Sequence, residues 1–298
     1  MKPPPFDYHR PASVAEAAQM LADLGDDAKV LAGGQSLVPM LSLRLAYLDH
    51  LVDISRLVEL KGVERSGDVV RIGAGTTEAT VERDQLVAEA VPLMARATPF
   101  IGHAQIRNRG TVGGSIAHAD PAAEYPAVVL ALDAEAEATS PRGTRTIAAE
   151  DLFTGLWSTA LDDDEILVGL RFPVWTGRCG FAIEEFARRH GDFAIAGAVV
   201  AVEIGEDDLV KRCGIGLIGL GSTPLRATAA EDQIIGRPVG EVTGDELGRL
   251  ATEPLDNVPA DLNGSAVYRT HVGAAMVARA WDKASSEARN GTNTGANR

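Results

Sequence analysis

The chain has 298 residues, and its 28 Lys and Arg against 42 Asp and Glu give a formal net charge of −14 at pH 7. This charge repels phosphate backbones and anionic membrane surfaces, so nucleic acid is excluded as an expected partner. Two cysteines exclude a disulfide framework and an iron–sulfur cluster held by this chain alone. The six histidines have no metal-ligand spacing, so the sequence does not support a zinc site. No apolar run approaches the about 20 residues of a membrane span, and no secretory signal opens the sequence, so we expect a cytoplasmic protein.

The length exceeds what one hydrophobic core usually covers, so we expect two or three lobes, of which the first spans residues 1–55. Residues 13–16 have the pattern of a capping box, and apolar residues at helical spacing lead from there to Gly25, which predicts a helix. Short apolar runs at 29–32 and 52–54 predict strands. This lobe is therefore predicted to be a small β-α-β unit.

The second lobe is predicted to span residues 56–175. Strands are predicted at 69–73 and 165–172, and helices at 77–89, 92–101 and 121–132. Pro92 is compatible with the first position of its helix. Residues 110–115 are rich in glycine, and we expect them to form a loop.

The third lobe is predicted to span residues 176–285. Two β-branched, apolar runs at 193–204 and 211–220 are separated by an acidic turn, which predicts a hairpin. Helical patterns follow at 245–251 and 265–284. An antiparallel sheet covered by helices is therefore expected. Residues 286–298 are rich in Asn, Gly, Ser and Thr, a composition typical of a disordered tail.

Two glycine-rich segments are the candidate binding elements. They are Ala32-Gly33-Gly34-Gln35-Ser36-Leu37 and Gly110-Thr111-Val112-Gly113-Gly114-Ser115. Paired glycines allow a backbone to approach a diphosphate and to turn successive N–H groups toward it, and the hydroxyls of Ser36, Thr111 and Ser115 are further donors. Either segment alone is more readily a plain turn, but the two together could close on one pyrophosphate from both sides.

Other chemistry is not indicated by the sequence. Neither glycine segment matches the Rossmann fingerprint or the P-loop, so a bound dinucleotide would need another architecture. His103 and His118 have no Ser, Cys or carboxylate pattern beside them, so structural roles are favoured and no catalytic residue is predicted. The basic clusters at 107–109 and 188–190 could balance cofactor phosphate, meet an acidic partner surface or lie in solvent.

The sequence resembles the FAD-binding subunits of the molybdenum hydroxylases, in particular the medium subunit of aerobic carbon monoxide dehydrogenase. The resemblance covers residues 1–285 and rests on segments 32–37, 105–115, 186–194 and 219–226. It implies a three-lobed α+β flavoprotein fold. In that fold two N-terminal lobes grip FAD, and the C-terminal lobe is an antiparallel sheet with helices.

The resemblance also implies which residues touch the cofactor. In and beside the two glycine segments, which would hold the pyrophosphate, they are Ala32, Gly33, Gly34, Gln35, Ser36, Leu37, Thr111, Val112, Gly113, Gly114, Ser115 and Ala117. An acidic residue on the following helix would bond the ribityl chain, and Glu124 matches it, with Asp120 nearby. The alternative for either carboxylate is a helix-terminus charge favoured by the helix dipole.

Two further contacts are implied by the resemblance. Leu167 would lie against the adenine or flavin region, and Phe193 beside the isoalloxazine ring. On pattern alone, Phe193 would instead be a core residue of a strand. Some relatives carry Lys where Glu184 stands and Tyr where Phe193 stands, so the resemblance implies no specific hydrogen bond to the flavin from these positions.

The implied function is electron transfer within a heterohexamer-type complex. FAD would receive electrons through iron–sulfur clusters on a small subunit, which takes them from the molybdenum cofactor on a large subunit, and would pass them to an external acceptor. The large subunit would select the substrate, which could be carbon monoxide, a purine, an aldehyde or an N-heterocycle. One rival is a stand-alone FAD oxidoreductase of the vanillyl-alcohol oxidase or enolpyruvyl-reductase type, which needs its own acid or base. The other is a flavin-free scaffold subunit, against which the intact glycines argue.

Overall fold

The computed structural model describes residues 2–291 and confirms the α+β class. The described chain contains a three-stranded, a five-stranded and a four-stranded sheet and a small two-stranded one. Within residues 2–291, no helix combines the length and apolar character that a membrane crossing requires. Both cysteines are free and buried.

The N-terminal part is a parallel sheet with two helices. Its elements are β1 (Asp7–His9), α1 (Val14–Leu24), β2 (Ala28–Leu31), α2 (Leu37–Leu43) and β3 (His50–Asp53). The strand order is β1-β3-β2. The Ser13 hydroxyl caps α1 by accepting from the Glu16 N–H at 3.1 Å, and the Glu16 carboxylate accepts from the Ala12 N–H at 2.6 Å. The predicted helix is thus confirmed. In its capping box, the Glu16 carboxylate accepts from the N–H of Ala12 instead of that of Ser13. Strand β1 and helix α2 were not predicted.

The middle part is an antiparallel sheet with a group of short helices. Its first elements are β4 (Val63–Ser66), β5 (Val69–Gly73), α3 (Glu78–Val81), α4 (Gln85–Ala90), α5 (Pro92–Ala97), α6 (Ala104–Arg107) and α7 (Val112–His118). The remaining ones are α8 (Glu124–Ala131), β6 (Glu135–Ser140), β7 (Gly143–Ala148), α9 (Ala149–Leu152), β8 (Phe153–Gly155), β9 (Ser158–Thr159) and β10 (Ile166–Pro173). The large sheet has the order β4-β5-β10-β6-β7.

Two predictions for this part are corrected. The single helix predicted at 77–89 is two helices, because the Asp84 carboxylate accepts from the Val87 N–H at 3.0 Å and starts α4. The glycine-rich segment 110–115 is not all loop, because α7 begins at Val112. By contrast, α5 begins at Pro92 as predicted, and a 3₁₀ turn continues it to Phe100.

The C-terminal part is an antiparallel sheet covered by a long helix. Its elements are β11 (Arg178–Phe186), β12 (Ala196–Ile204), β13 (Val210–Ile218), β14 (Leu225–Arg226), α10 (Thr228–Asp232), α11 (Gly244–Thr252) and α12 (Ala266–Asn290). The strand order is β11-β12-β13-β14, and the predicted hairpin is β12-β13. The tail predicted to be disordered from residue 286 is helical through Asn290, while residues 292–298 lie outside the described residues.

Helix α8 connects the cores of the middle and C-terminal parts. All eight of its residues are buried, as expected for a helix that is apolar on every side. Its side chains share one hydrophobic core with those of β10 and with the face of the C-terminal sheet that carries Phe181 and Val199. The core of the N-terminal sheet also includes Ile166 of β10, so the N-terminal and middle parts share core residues. The lobe boundaries at residues 55 and 175 therefore stay a prediction.

Candidate FAD site

The two glycine-rich segments lie against each other in the structure. The first follows β2 and the second leads into α7. A Cβ on Gly33 would overlap the Arg109 carbonyl oxygen and lie 2.8 Å from the carbonyl carbon. On the other side of the contact, a Cβ on Gly114 would lie 3.8 Å from the Ala32 Cβ. The expectation that the two segments meet is therefore consistent with the tertiary structure.

The first segment presents a run of unpaired backbone donors. Within residues 2–291, the N–H groups of residues 33–37 have no protein acceptor, although these residues are half-buried. Gly34 has φ +73°, a left-handed conformation that side chains disfavour. The Gln35 side-chain amide donates to the Gly33 carbonyl at 2.9 Å and closes the turn. Successive N–H groups in such a turn form a concave anion site, so this segment suits phosphate oxygens.

The second segment contributes differently from the prediction. Thr111 caps α7 by accepting from the Gly114 N–H at 3.0 Å. The N–H groups of Val112, Gly113 and Ser115 donate to the carbonyls of Thr76, Ala74 and Thr111 at 3.0, 2.8 and 3.0 Å. These four backbone donors are therefore already used, and the expected second set of N–H groups aimed at a diphosphate is wrong. The Thr111 N–H and the half-buried hydroxyl of Ser115 have no hydrogen-bond partner inside the described chain, and these donors are left free by the segment.

Gly113 is required for the packing of α7. A Cβ on Gly113 would lie 2.5 Å from the Ala74 Cβ and 2.8 Å from the Ala74 carbonyl oxygen. Helix α7 thus lies directly on the strand extension at Ala74. A side chain at Gly113 would displace the helix before it reached any ligand.

The acidic residues after α7 have distinct roles. The Asp120 carboxylate accepts from the Ala122 N–H at 2.8 Å, and so shapes the turn before α8. Glu124 is the first residue of α8 and is only 8% exposed. Its burial, together with the nearby Asp120, raises the pKa of the Glu124 carboxyl to about 7. Glu124 is therefore not a solvated helix-terminus charge. Ala117, the other predicted contact in this stretch, is half-buried on α7.

Leu167 and Phe193 lie in contrasting environments. The Leu167 side chain is buried in the main core. The carbonyl of the next residue, Val168, accepts from the Ala74 N–H at 3.1 Å, so the β10 backbone lies behind α7. Phe193 belongs to the loop between β11 and β12 and is 70% exposed, so its prediction as a strand core residue is wrong.

Sequence reasoning missed two carboxyl groups near the site, the buried Glu78 and the half-buried Glu185. Glu78, at the start of α3, packs against Gly110. Glu184 and Glu185 alternate on β11: Glu184 pairs with Lys283 of α12, so Glu185 faces the opposite side. Strand alternation could have shown that the two Glu side chains diverge. It could not have shown which of the two is paired with a cation.

The basic clusters and the histidines have structural contacts. The Arg107 guanidinium donates to the Glu82 carboxylate at 2.9 and 3.1 Å and to two carbonyls. Arg109 is exposed, and Arg188 donates to the Leu262 carbonyl at 3.1 Å. The His118 ring stacks on Trp157 with centroids 6.1 Å apart, and burial lowers its pKa. In the part of the chain that the structure describes, no cluster of three or more His, Cys, Asp or Glu side chains could hold a metal ion.

Comparison with known proteins matches both halves of the chain to family models. Residues 4–175 match the FAD binding domain in molybdopterin dehydrogenase, and residues 181–284 match the CO dehydrogenase flavoprotein C-terminal domain. The chain belongs to the family of FAD-binding subunits of the molybdenum hydroxylases. Members of this family bind FAD, and FAD is the cofactor of this chain. The unpaired N–H groups and free hydroxyl described above fit a diphosphate-bearing cofactor.

Relatives match over almost their full length. The chain is 42% identical to the 6-hydroxypseudooxynicotine dehydrogenase complex subunit alpha of Paenarthrobacter nicotinovorans, covering 97% of each chain. It is 38% identical to the carbon monoxide dehydrogenase medium chain of Hydrogenophaga pseudoflava, covering 95% of this chain and 98% of that one. A solved structure of carbon monoxide dehydrogenase from H. pseudoflava superimposes with a TM-score of 0.93 at 39% identity, covering 96% of this chain and 99% of that chain. This flavoprotein is thus an FAD subunit of an oxidoreductase.

Proposed function

We propose that this chain transfers electrons, by way of FAD, from an iron–sulfur partner chain to an external acceptor. The observation that carries the proposal is the run of unpaired N–H groups at 33–37, closed on one side by the second glycine segment. FAD supplies the redox chemistry when bound, and the residues of this chain bind and orient it. Relatives at 38–42% identity are named as chains or subunits of dehydrogenases, which supports the role of a subunit.

The pyrophosphate is proposed to bind between the two glycine segments. The N–H groups of Gly33 to Leu37 would bond its oxygens, and the hydroxyls of Ser36 and Ser115 would add donors from either side. Hydrogen bonds to a charged oxygen are about twice as strong as those between neutral groups, so this is where we expect most of the specific affinity. The lining would be completed by Ala32, Thr111, Val112, Gly113, Gly114 and Ala117.

The remaining cofactor contacts are proposed from their environments. A carboxyl with a pKa near 7 both accepts and donates hydrogen bonds around neutral pH, so Glu124 suits the hydroxyls of a ribityl chain. Asp120 would hold the turn that presents Glu124. The exposed ring of Phe193 is available to pack on the isoalloxazine plane, and Leu167 would back the adenine end.

We also propose the lobes and partners that the resemblance implies. Residues 1–55 and 56–175 would grip the cofactor, with 176–285 as the third lobe. An iron–sulfur cluster takes about four thiolates, and the sequence contains two cysteines, so clusters are assigned to a small subunit. The molybdenum cofactor is assigned to a large subunit in a heterohexamer-type complex.

The choice of substrate is assigned to the large subunit. Relatives named for 6-hydroxypseudooxynicotine, carbon monoxide and caffeine dehydrogenation are 42%, 38% and 40% identical to this chain. Relatives named for chemically different substrates are therefore about equally similar in sequence to this chain. A flavin subunit that never touches the substrate has this property.

Cofactor identity is the first test. The complex, purified through a tag on this chain, should release one FAD per chain when denatured, as measured by mass spectrometry and absorbance. A diphosphate-binding site has poor complementarity to FMN, which has one phosphate. FMN or no flavin in the intact complex would contradict the assignment.

The electron route is the second test. We expect the isolated chain loaded with FAD to be bleached by dithionite but to stay oxidised under anaerobic carbon monoxide, xanthine, an aldehyde or nicotine. The complete complex should be bleached by at least one of these substrates. Bleaching of the isolated chain by a substrate would instead favour the stand-alone oxidoreductase.

A further inference from the structure

Three acidic residues interact with one another near the second glycine segment: Glu185 is half-buried, whereas Glu124 and Glu78 are buried. Glu78 packs directly against the segment. This residue starts α3 and is 4% exposed. Its N–H donates to the Gly110 carbonyl at 3.0 Å, and a Cβ on Gly110 would lie 2.6 Å from the Glu78 carboxyl carbon. Within residues 2–291, Glu78 Oε2 has no hydrogen-bond partner. Glu78 therefore lies directly behind the second glycine segment.

The other two carboxyl groups are Glu124 and Glu185. Glu185 pairs with Gly197 across β11 and β12, and Gly197 pairs with Ile218 of β13. The N–H of the following Gly219 donates to the Pro121 carbonyl at 2.8 Å, which fixes this edge of the sheet beside the turn into α8. Glu185 Oε2 is buried and has no partner in the described chain.

Few charges offset this group of acids. Arg107 faces Glu78, but its guanidinium is already paired with Glu82. Asp120 adds negative charge near Glu124, and the Tyr125 hydroxyl is bonded to Thr98 at 2.8 Å. Burial raises the pKa of Glu78 to about 8, of Glu124 to about 7 and of Glu185 to about 8. Repulsion by the Glu124 carboxylate adds to the shifts of Glu78 and Glu185, and repulsion by Asp120 adds to that of Glu124.

We propose that Glu78, Glu124 and Glu185 form a proton-binding site that takes up protons when FAD binds. The inference rests on the proposed placement of FAD between the glycine segments. The diphosphate brings two negative charges toward these carboxyls, and Coulomb repulsion is strong where water is excluded. Of the cations nearby within residues 2–291, Arg107 is paired with Glu82, and Arg269, which donates to the Ile195 and Gly219 carbonyls, is paired with Asp261. The ionised form of each carboxyl is then disfavoured further. Protonation removes the repulsion and leaves hydroxyl donors at the two unpaired oxygens.

The sign of the pH dependence follows from linkage. At pH 6 the three carboxyls are mostly protonated in the free protein, so FAD binding requires few additional protons. As pH rises through 7 and 8, the free protein loses these protons and must regain them on binding. The affinity for FAD should therefore fall with pH, by up to about tenfold per pH unit for each proton taken up.

The test uses the FAD-stripped complex, titrated with FAD between pH 6 and pH 9. We expect the affinity to be at least about tenfold weaker at pH 9 than at pH 6. Calorimetry at pH 8 in two buffers of different ionisation enthalpy should give an uptake of close to one proton or more per FAD. This proton count is measured on the wild-type complex, so it tests the proposed proton uptake even if a substitution prevents folding.

Glutamine variants locate the effect. Glu78→Gln and Glu185→Gln imitate the protonated form, so each should bind FAD more tightly than wild type at pH 9 and show a shallower pH dependence. Glu184→Gln, on the opposite face of the same strand, is the control and should keep the wild-type slope. No proton uptake, a flat profile, or wild-type slopes in both Glu78→Gln and Glu185→Gln would overturn the inference while leaving FAD binding intact. Failure to bind FAD at pH 6 would instead overturn the proposed function.

Discussion

Gly33 lies so close to Arg109 that the backbones of the two glycine segments are in contact. A Cβ on Gly33 would lie 2.8 Å from the Arg109 carbonyl carbon and 2.9 Å from the Gly110 Cα. This contact joins an element that follows β2 to one that precedes α7, 76 positions apart in the numbering from Gly33 to Arg109. The cleft proposed for the pyrophosphate depends on it.

Gly33→Ala should separate the two segments. Overpacking of this kind typically costs about 1–3 kcal/mol, so we expect a lower free energy of unfolding together with a reduced FAD content. Gly240→Ala is the matched control, because a Cβ there has no neighbour within 4 Å. Denaturant unfolding and flavin absorbance measure the two effects. Wild-type flavin content in Gly33→Ala would show that the contact does not shape the site.

Gly34→Ala should reduce FAD binding more than it reduces stability. Gly34 has φ +73° within the run of free N–H groups, and a side chain strains that conformation by roughly 1–2 kcal/mol. Gly25, at the end of α1, has φ +67° and open space around it. Gly25→Ala should therefore show similar destabilisation with normal flavin content. Equal flavin content in both variants would contradict the role of the first segment.

Ser115→Ala should weaken FAD binding about tenfold without changing the melting temperature, because its hydroxyl has no bond to lose within the described chain. Thr111→Ala is the comparison. It removes the cap of α7, which typically costs about 1 kcal/mol, and should lower both stability and affinity. Titration with FAD and thermal unfolding separate the two. An unchanged affinity in Ser115→Ala would remove this hydroxyl from the site.

Arg107→Met should destabilise the fold by about 3 kcal/mol, because it leaves the Glu82 carboxylate half-buried without its cation. The double variant Arg107→Met with Glu82→Gln should recover part of that loss. Arg109→Met, on an exposed side chain two residues away, should change stability by no more than about 0.5 kcal/mol. Denaturant unfolding checks all three. An unchanged free energy of unfolding in Arg107→Met would show that the ion pair with Glu82 does not stabilise the fold.

Local sequence signals determined much of the fold. The Ser13 cap starts α1, Pro92 starts α5, and the run at 69–73 is β5 with the predicted bounds. The cap, the Pro92 start and the strand depend on residues within a few positions of one another, so the sequence was sufficient for them. The glycines show that the two segments can touch, but their contact joins positions 76 apart and was decided by the tertiary structure.

Only the tertiary structure decided which groups face the cleft. The N–H of Gly113 is occupied because the Ala74 carbonyl lies against α7, whereas the N–H groups at 33–37 meet no acceptor in the described chain. Glu184 is paired because α12 supplies Lys283 to its face of β11, whereas Glu185 Oε2 on the opposite face is buried without a partner in the described chain. Hydrogen-bond pairing and burial depend on atoms brought together from distant parts of the chain. A sequence pattern fixes which groups are available, and packing then selects those that remain free to bind.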